Sequence, residues 1–322
     1  MKLVWLRILL CLLVSGNVLV YAESIDEQDK VEPAQIENTL SVQSPQAGWT
    51  FAGIVSNENG ERYNYFFQIE RNYSRFYGMA TLINAQTKAV ILYEESNTLI
   101  EQPEKTHWQV GNLFLRFNPI NNSWVFGVKN KGKKGFNFKV DMFGLPENHL
   151  AKQQHLRNGV ELLIGQTGRL NGHLLADEDG KEQFVTAKKA WFKQLWVSLP
   201  QQASHPVTSV LCEFNDGSAF YSVNLQETDA LKGAITGWRD MGGVPVAMSQ
   251  FVSVRAEKDG VWEINIPTPK MTLSILDVLD KINENHELVA GAVNGVPAGF
   301  CTISQNEIDQ QPVVETAPAK TS

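Results

Sequence analysis

The sequence predicts an all-β protein in two domains, each a sandwich or a barrel. Three observations carry this reading. Short runs rich in Val, Ile, Phe, Tyr and Trp recur along the chain and alternate apolar with polar residues, the period-two pattern of half-buried strands. Asn-Gly and Asp-Gly pairs fall between neighbouring runs, where glycine accepts the positive φ of a tight hairpin. Helical text is confined to two short stretches, Pro146 to Arg157 and Ser274 to Asn283.

The elements follow in order. Trp49 to Val55 alternates, Asn57-Glu58-Asn59-Gly60 turns, and Arg62 to Arg71 returns. Ala80 to Ile83 and Ala89 to Tyr93 form a second pair. Leu113 to Phe117, Trp124 to Val128 and Phe136 to Phe143 continue the style. Two later hairpins are signalled by Asp216-Gly217 and Asp259-Gly260, and Gly295-Val296-Pro297 joins the closing strands Val289 to Asn294 and Gly299 to Ile303. The polar stretch Leu199 to Pro206, with two prolines, divides the domains. The expected layout is residues 1–22 a signal peptide, 23–46 a flexible leader, 47–200 and 205–306 the two domains, and 307–322 a disordered tail. No fixed-period repeat is present, and many short strands joined by turns point to sandwiches or barrels.

The N-terminus has a secretory layout. Lys2 and Arg7 give a positive start, Ile8 to Val20 is apolar, and Val20-Tyr21-Ala22 presents a cleavage site. The apolar run is shorter than a bilayer span and is interrupted by Gly16-Asn17, so cleavage after Ala22 and export to the periplasm or medium are expected. Removing 22 of 322 residues leaves 300, and losing Lys2 and Arg7 takes the net charge from −7 to −9. A chain this acidic is repelled by nucleic acid and anionic membranes. The basic run Lys129 to Lys134 contains turn residues and reads as a solvated loop. Cys212 and Cys301 both lie in strand-like text, and export leaves either a disulfide or two buried thiols open.

Several chemistries find no support. No glycine-rich phosphate loop and no Gly-x-Ser-x-Gly elbow occur, and Gly242-Gly243 sits in turn text. The six histidines are scattered without ligand spacing, so neither metal nor cofactor is expected. The aromatic strand Ala190 to Val197 stands out. Trp191 and Lys193 share one face, and Phe192, Gln194 and Trp196 share the other. One face is a candidate cavity wall with Gln194 as a polar anchor, but for this strand taken alone core packing is the commoner explanation of such aromatics.

The order and spacing of several segments resemble the hydroxyneurosporene synthase (carotenoid 1,2-hydratase) and AttH-like family across roughly residues 47 to 304. These are Trp49 to Gly53 with Gly60 and Tyr65 to Arg71; Gly168 to Gly172; Ala190 to Trp196; Asp216 to Val223; Trp262 to Pro267; and Gly291 to Phe300. The resemblance implies two lipocalin-like β-barrel domains in tandem. It also implies an acid for alkene protonation within the Ala-Trp signature, where this chain has Lys193, an ammonium with a reference pKa near 10.4. The family's Tyr-Tyr-Ser stretch falls on the apolar Leu162 to Gln166. The expectation is therefore a non-enzymatic binder of an apolar, lipid- or terpenoid-like molecule, walled by Trp191, Phe192, Gln194 and Trp196. The alternatives are an enzyme, a hydratase or hydrolase using Lys193 or His173, and an interaction module with filled barrels.

Overall fold

Strands account for almost every element of the computed structural model, which describes residues 44–129, 134–142, 153–157, 159–176, 181–227, 230–242, 244–249, 251–283 and 287–309. The signal peptide, almost all of the leader and the tail, and most of the basic loop lie outside these residues. The first sheet holds β1 (Gln46–Asn57), β2 (Arg62–Asn72), β3 (Arg75–Asn84), β4 (Val90–Leu99), β5 (His107–Val110), β6 (Leu113–Asn118), β7 (Ser123–Val128), β8 (Gly135–Asp141), β9 (Gln153–Arg157), β10 (Val160–Thr167), β11 (Leu170–Leu175), β12 (Gln183–Ala187) and β13 (Ala190–Val197). The second holds β14 (His205–Phe214), β15 (Ala219–Glu227), β16 (Ala230–Arg239), β17 (Pro245–Ser249), β18 (Ser253–Ala256), β19 (Val261–Pro267), β20 (Lys270–Leu276), β21 (Leu288–Asn294) and β22 (Gly299–Ile308). All strand pairs are antiparallel, and the described residues belong to one compact unit. The all-β expectation holds, with two barrel-like sheets.

Hairpin chemistry sets the registers. Asn57 Oδ1 accepts from the amides of Asn59 and Glu61, and Gly60 takes φ 80°, which fixes β1 against β2 over eleven pairs from Gln46↔Asn72 to Ser56↔Arg62. In the first sheet β3 and β4 curl back against β5 and β6, closing the barrel-like shape. β1 is the hub: it pairs with β2 along one edge and with β13 and then β12 along the other.

The first barrel's interior is filled by its own aromatics. Phe51 stacks on Phe126 at 4.2 Å between ring centres, and Trp49 lies 4.5 Å from Trp108. Tyr65, Phe67, Trp124, Phe138 and Phe192 complete a buried cluster. In the second interior Val210, Phe214, Phe220, Trp238, Trp262 and Ile303 pack around a Cys212–Cys301 disulfide, which joins directly opposed positions of β14 and β22.

A further apolar cluster joins the two sheets. It draws Ala52, Phe66, Met79, Ile164, Trp191 and Leu195 from the first and Val207, Leu211, Tyr221, Val223, Ala290 and Phe300 from the second. The approach is tightest where β16 meets β9: a Cβ at Gly233 would lie 1.9 Å from the Leu156 carbonyl oxygen, so only glycine fits.

The two helical expectations are corrected. Gln153–Arg157 is strand β9, because β10 offers it a pairing edge and tertiary pairing overrides weak helix propensity; residues 146–152 lie outside the described residues. Ser274–Leu276 ends β20. Beyond it Asp277 Oδ1 accepts from the amides of Leu279 and Ala290, which holds the chain in turns instead of a helix. No helix among the described residues is long and apolar enough to cross a membrane.

Phe126 packs against five other aromatic rings at the centre of the first barrel. Phe126→Ala is expected to lower unfolding free energy by about 3–5 kcal/mol, measured by urea denaturation.

Candidate functional site

Alternation along three neighbouring strands builds the site. Thr50 on β1 stands opposite Lys193 on β13 and opposite Gln68 on β2, while Gly48 stands opposite Glu70. The odd-numbered partners of these strands point into the aromatic barrel or, on β13, away from it, so Thr50, Lys193, Gln68 and Glu70 share the face turned to the second sheet. There Thr50 Oγ1 donates to Gln68 Oε1 at 2.9 Å, and Gln68 Nε2 donates to Glu70 Oε1 at 3.1 Å. Lys193 Nζ donates to Ser209 Oγ of β14 at 2.8 Å, and the Asn306 side chain of β22 hydrogen-bonds Glu70. A line of polar groups thus runs beside the apolar cluster that joins the sheets.

Burial sets their protonation. Glu70 keeps part of its surface on a cleft, but the protein around its carboxyl pushes it up to about 7; the Lys193 charge acts in the opposite sense, and Glu287 and Asp309 raise it further. Desolvation likewise brings Lys193 down to about 8, opposed by Glu70. Near neutral pH one group is part protonated and the other mostly charged. A carboxyl in that state can give or take a proton, the property that a lysine with its ordinary pKa lacks.

Two connected spaces meet this pair. A recess of about 60 Å³ is lined by Gln46, Thr50, Glu70, Lys193, Leu195 and Trp196, among others. It shares Glu70, Asn72, Asn306, Glu307 and Asp309 with a cleft of about 940 Å³ between the sheets. Phe76, Tyr77, Leu99 and Val207 give that cleft apolar walls, while Asn97, Gln226 and Gln305 give it polar ones. Tyr77 Oη bridges the sheets by donating to Glu287 Oε2 at 2.9 Å. Gln46 Oε1, buried at the recess, has no hydrogen-bond partner.

The residues singled out from the sequence are divided by the fold. Trp196 and Lys193 line the recess. Trp191 lies in the seam, donating Nε1 to the Cys212 carbonyl at 3.0 Å and packing edge-on to Tyr221. Phe192 and Gln194 point into the filled first barrel; Phe192 lies 5.2 Å from Phe51, and neither amide atom of Gln194 has a partner. His173 is on the outside of β11, beside Phe184 and 3.8 Å from Glu182, and lines neither space. Sequence reasoning missed Glu70, Gln68, Ser209 and Asn306. The signal for Glu70 and Gln68 was present: β2 carries aromatic or branched residues at 65, 67 and 69, and polar ones at 64, 68 and 70 on the opposite face. No group of three or more potential metal ligands occurs among the described residues.

Comparison places this architecture in a known class. The chain has the tandem lipocalin-like fold of the carotenoid hydratase and AttH-like proteins. A crystal structure assigned to AttH from Nitrosomonas europaea matches 81% of this chain and 92% of its own at TM-score 0.56, with 12% identity. Kievitone hydratase from Nectria haematococca matches 84% of this chain and 92% of its own at TM-score 0.52, with 13% identity. At these identities the likeness is one of fold. No family model matches the sequence, and no curated protein does.

Lys193→Met removes the charge that favours ionised Glu70. The Glu70 carboxyl is then expected to titrate at higher pH than in the unaltered protein, read by ¹³C NMR of labelled glutamate.

Proposed function

We propose that the protein binds a small, largely apolar organic molecule carrying at least one polar group, lipid- or terpenoid-like in character, in the cleft between its two barrels. The observation that carries this reading is the cleft of about 940 Å³ lined by Glu70, which also lines the small recess beside Lys193. Such a volume suits a drug-sized ligand. Burial against Tyr77 and Leu99 supplies affinity at roughly 25 cal/mol per Å² before association costs, and the amides and Glu70 orient the polar end. The filled interior of the first barrel supports moving the ligand from a barrel lumen to the cleft.

A second reading rests on one specific observation, the carboxyl of Glu70 held near neutrality beside that cleft. A hydratase needs a positioned acid, and one protein of like fold is a kievitone hydratase. In that reading Glu70 is the proton donor and Lys193 tunes it.

Export belongs to the same proposal. It is supported by the signal-peptide pattern of residues 1–22 and by the Cys212–Cys301 disulfide, since such bonds persist in oxidising compartments.

Solvent extraction and native mass spectrometry of the purified protein are expected to release a small amphipathic molecule, and Tyr77→Ala to cut its retention about tenfold or more. Absence of any extractable or rebinding molecule overturns the reading. Glu70→Gln separates binder from enzyme: retention survives in both, and turnover of the extracted molecule is lost only in the enzyme. Intact-mass measurement of protein from the periplasm or medium is expected to show a chain beginning at Glu23.

A further inference from the structure

A second buried carboxyl lies in the seam, apart from the cleft. Glu213 belongs to β14 of the second sheet, and its Oε2 accepts the Ile54 amide of β1 in the first sheet at 3.2 Å. The space beside it measures about 10 Å³, room for a single water, and is lined by Gly53, Asn64, Tyr65, Trp191, Leu211 and Phe300, among others. A Cβ at Gly53 would lie 3.3 Å from both Glu213 Oε2 and Tyr65 Oη, so glycine leaves the two oxygens room to share this space. Tyr65 Oη and Asn64 Oδ1 are buried there without hydrogen-bond partners.

The surroundings favour the neutral acid. The charged groups facing Glu213 are Arg62 on β2 and Lys189 before β13. Neither forms an ion pair with it: Arg62 donates to Asn215 Oδ1 at 3.1 Å, and Lys189 Nζ donates to the Met241 carbonyl at 2.6 Å, near Asp240 and Arg239. Tyr65, the remaining titratable neighbour, is held in its neutral form by burial and by Glu213. Asn64 Oδ1 needs a donor, and a protonated carboxyl brings one into the space where a carboxylate brings only acceptors. A carboxylate left in this seam without a cation is costly.

We infer that Glu213 is a proton-dependent latch between the two barrels: neutral, it seals the seam at Ile54, Asn64 and Tyr65; ionised, it loosens that end of the interface. The latch differs from the proposed ligand site in both residues and location. Burial pushes Glu213 up to about 7 from an ordinary 4.5, with the Ile54 amide, Arg62 and Lys189 pulling the other way. For an acid raised on docking, the docked state prefers the proton. Docking is therefore strongest at pH below about 4.5, weakens as pH rises toward 7, and levels off above it.

The test is hydrogen exchange at the Ile54 amide in the intact protein, read by NMR and corrected for the intrinsic pH dependence of exchange. Between pH 6 and 8 the opening constant is expected to rise about tenfold, the change linkage gives for a group moving between 7 and 4.5. Glu213→Gln keeps the shape and cannot ionise, so it is expected to flatten that rise while Glu70→Gln preserves it. The latch is overturned if opening in the unaltered protein is independent of pH across this range, a result that needs no variant to fold. It is equally overturned if Glu213→Gln folds and opens with the same pH dependence as the unaltered protein.

Discussion

A β-strand presents its side chains alternately to two sides, and in β1, β2, β10 and β13 both sides are buried. This constraint organises the molecule. One side of these strands must fill the first barrel and does so with Trp49, Phe51, Phe67 and Phe192. The other must match the second sheet and does so with Ala52, Phe66, Trp191 and Leu195. An antiparallel sheet usually wets one face; here the second barrel takes the place of water. The aromatic side is closely packed, and the cleft of about 940 Å³ lies where the seam runs out.

The seam also explains the chemistry. Polar side chains that would be routine on a wetted face become high-stakes when covered. Thr50, Gln68 and Glu70 satisfy one another in a chain of hydrogen bonds, and Lys193 finds Ser209 across the interface. Burial draws Glu70 up and Lys193 down toward neutral pH, while each charge favours the ionised form of the other. Glu213 lacks such a partner and relies on one backbone amide. Two carboxyls of the same type thus acquire different roles, one beside a cleft able to admit a ligand and one in a space the size of a water.

Much of the fold was legible from local text. Asn59-Gly60 and Asp216-Gly217 announced hairpins because few other residues accept those turn geometries. The run Arg62 to Arg71 announced a return strand, and Cys212 and Cys301 were correctly read as strand residues, though only their direct opposition on β14 and β22 shows the disulfide. The helix expectation at Gln153–Arg157 failed because a pairing edge outweighs propensity. At the candidate site Trp196 and Lys193 were legible as members of an unusual strand. Phe192 and Gln194 share that strand but point into the packed barrel, and His173 lies outside it. Expecting no acid at the Ala-Trp signature followed from reading the Lys193 segment alone; the carboxyl that neighbours Lys193 comes from β2.

By itself, then, the sequence determined an all-β chain, its hairpins and the alternating pattern of its strands, because turn chemistry and period-two burial act between residues close in the chain. Which side of β13 faced a packed barrel and which a partner sheet was decided only in three dimensions. So were the meeting of Glu70, Lys193, Ser209 and Asn306, and the burial that moves their protonation toward neutrality. Desolvation depends on what covers a group, and the cover over β1, β2 and β13 is a second barrel built from residues distant in the chain.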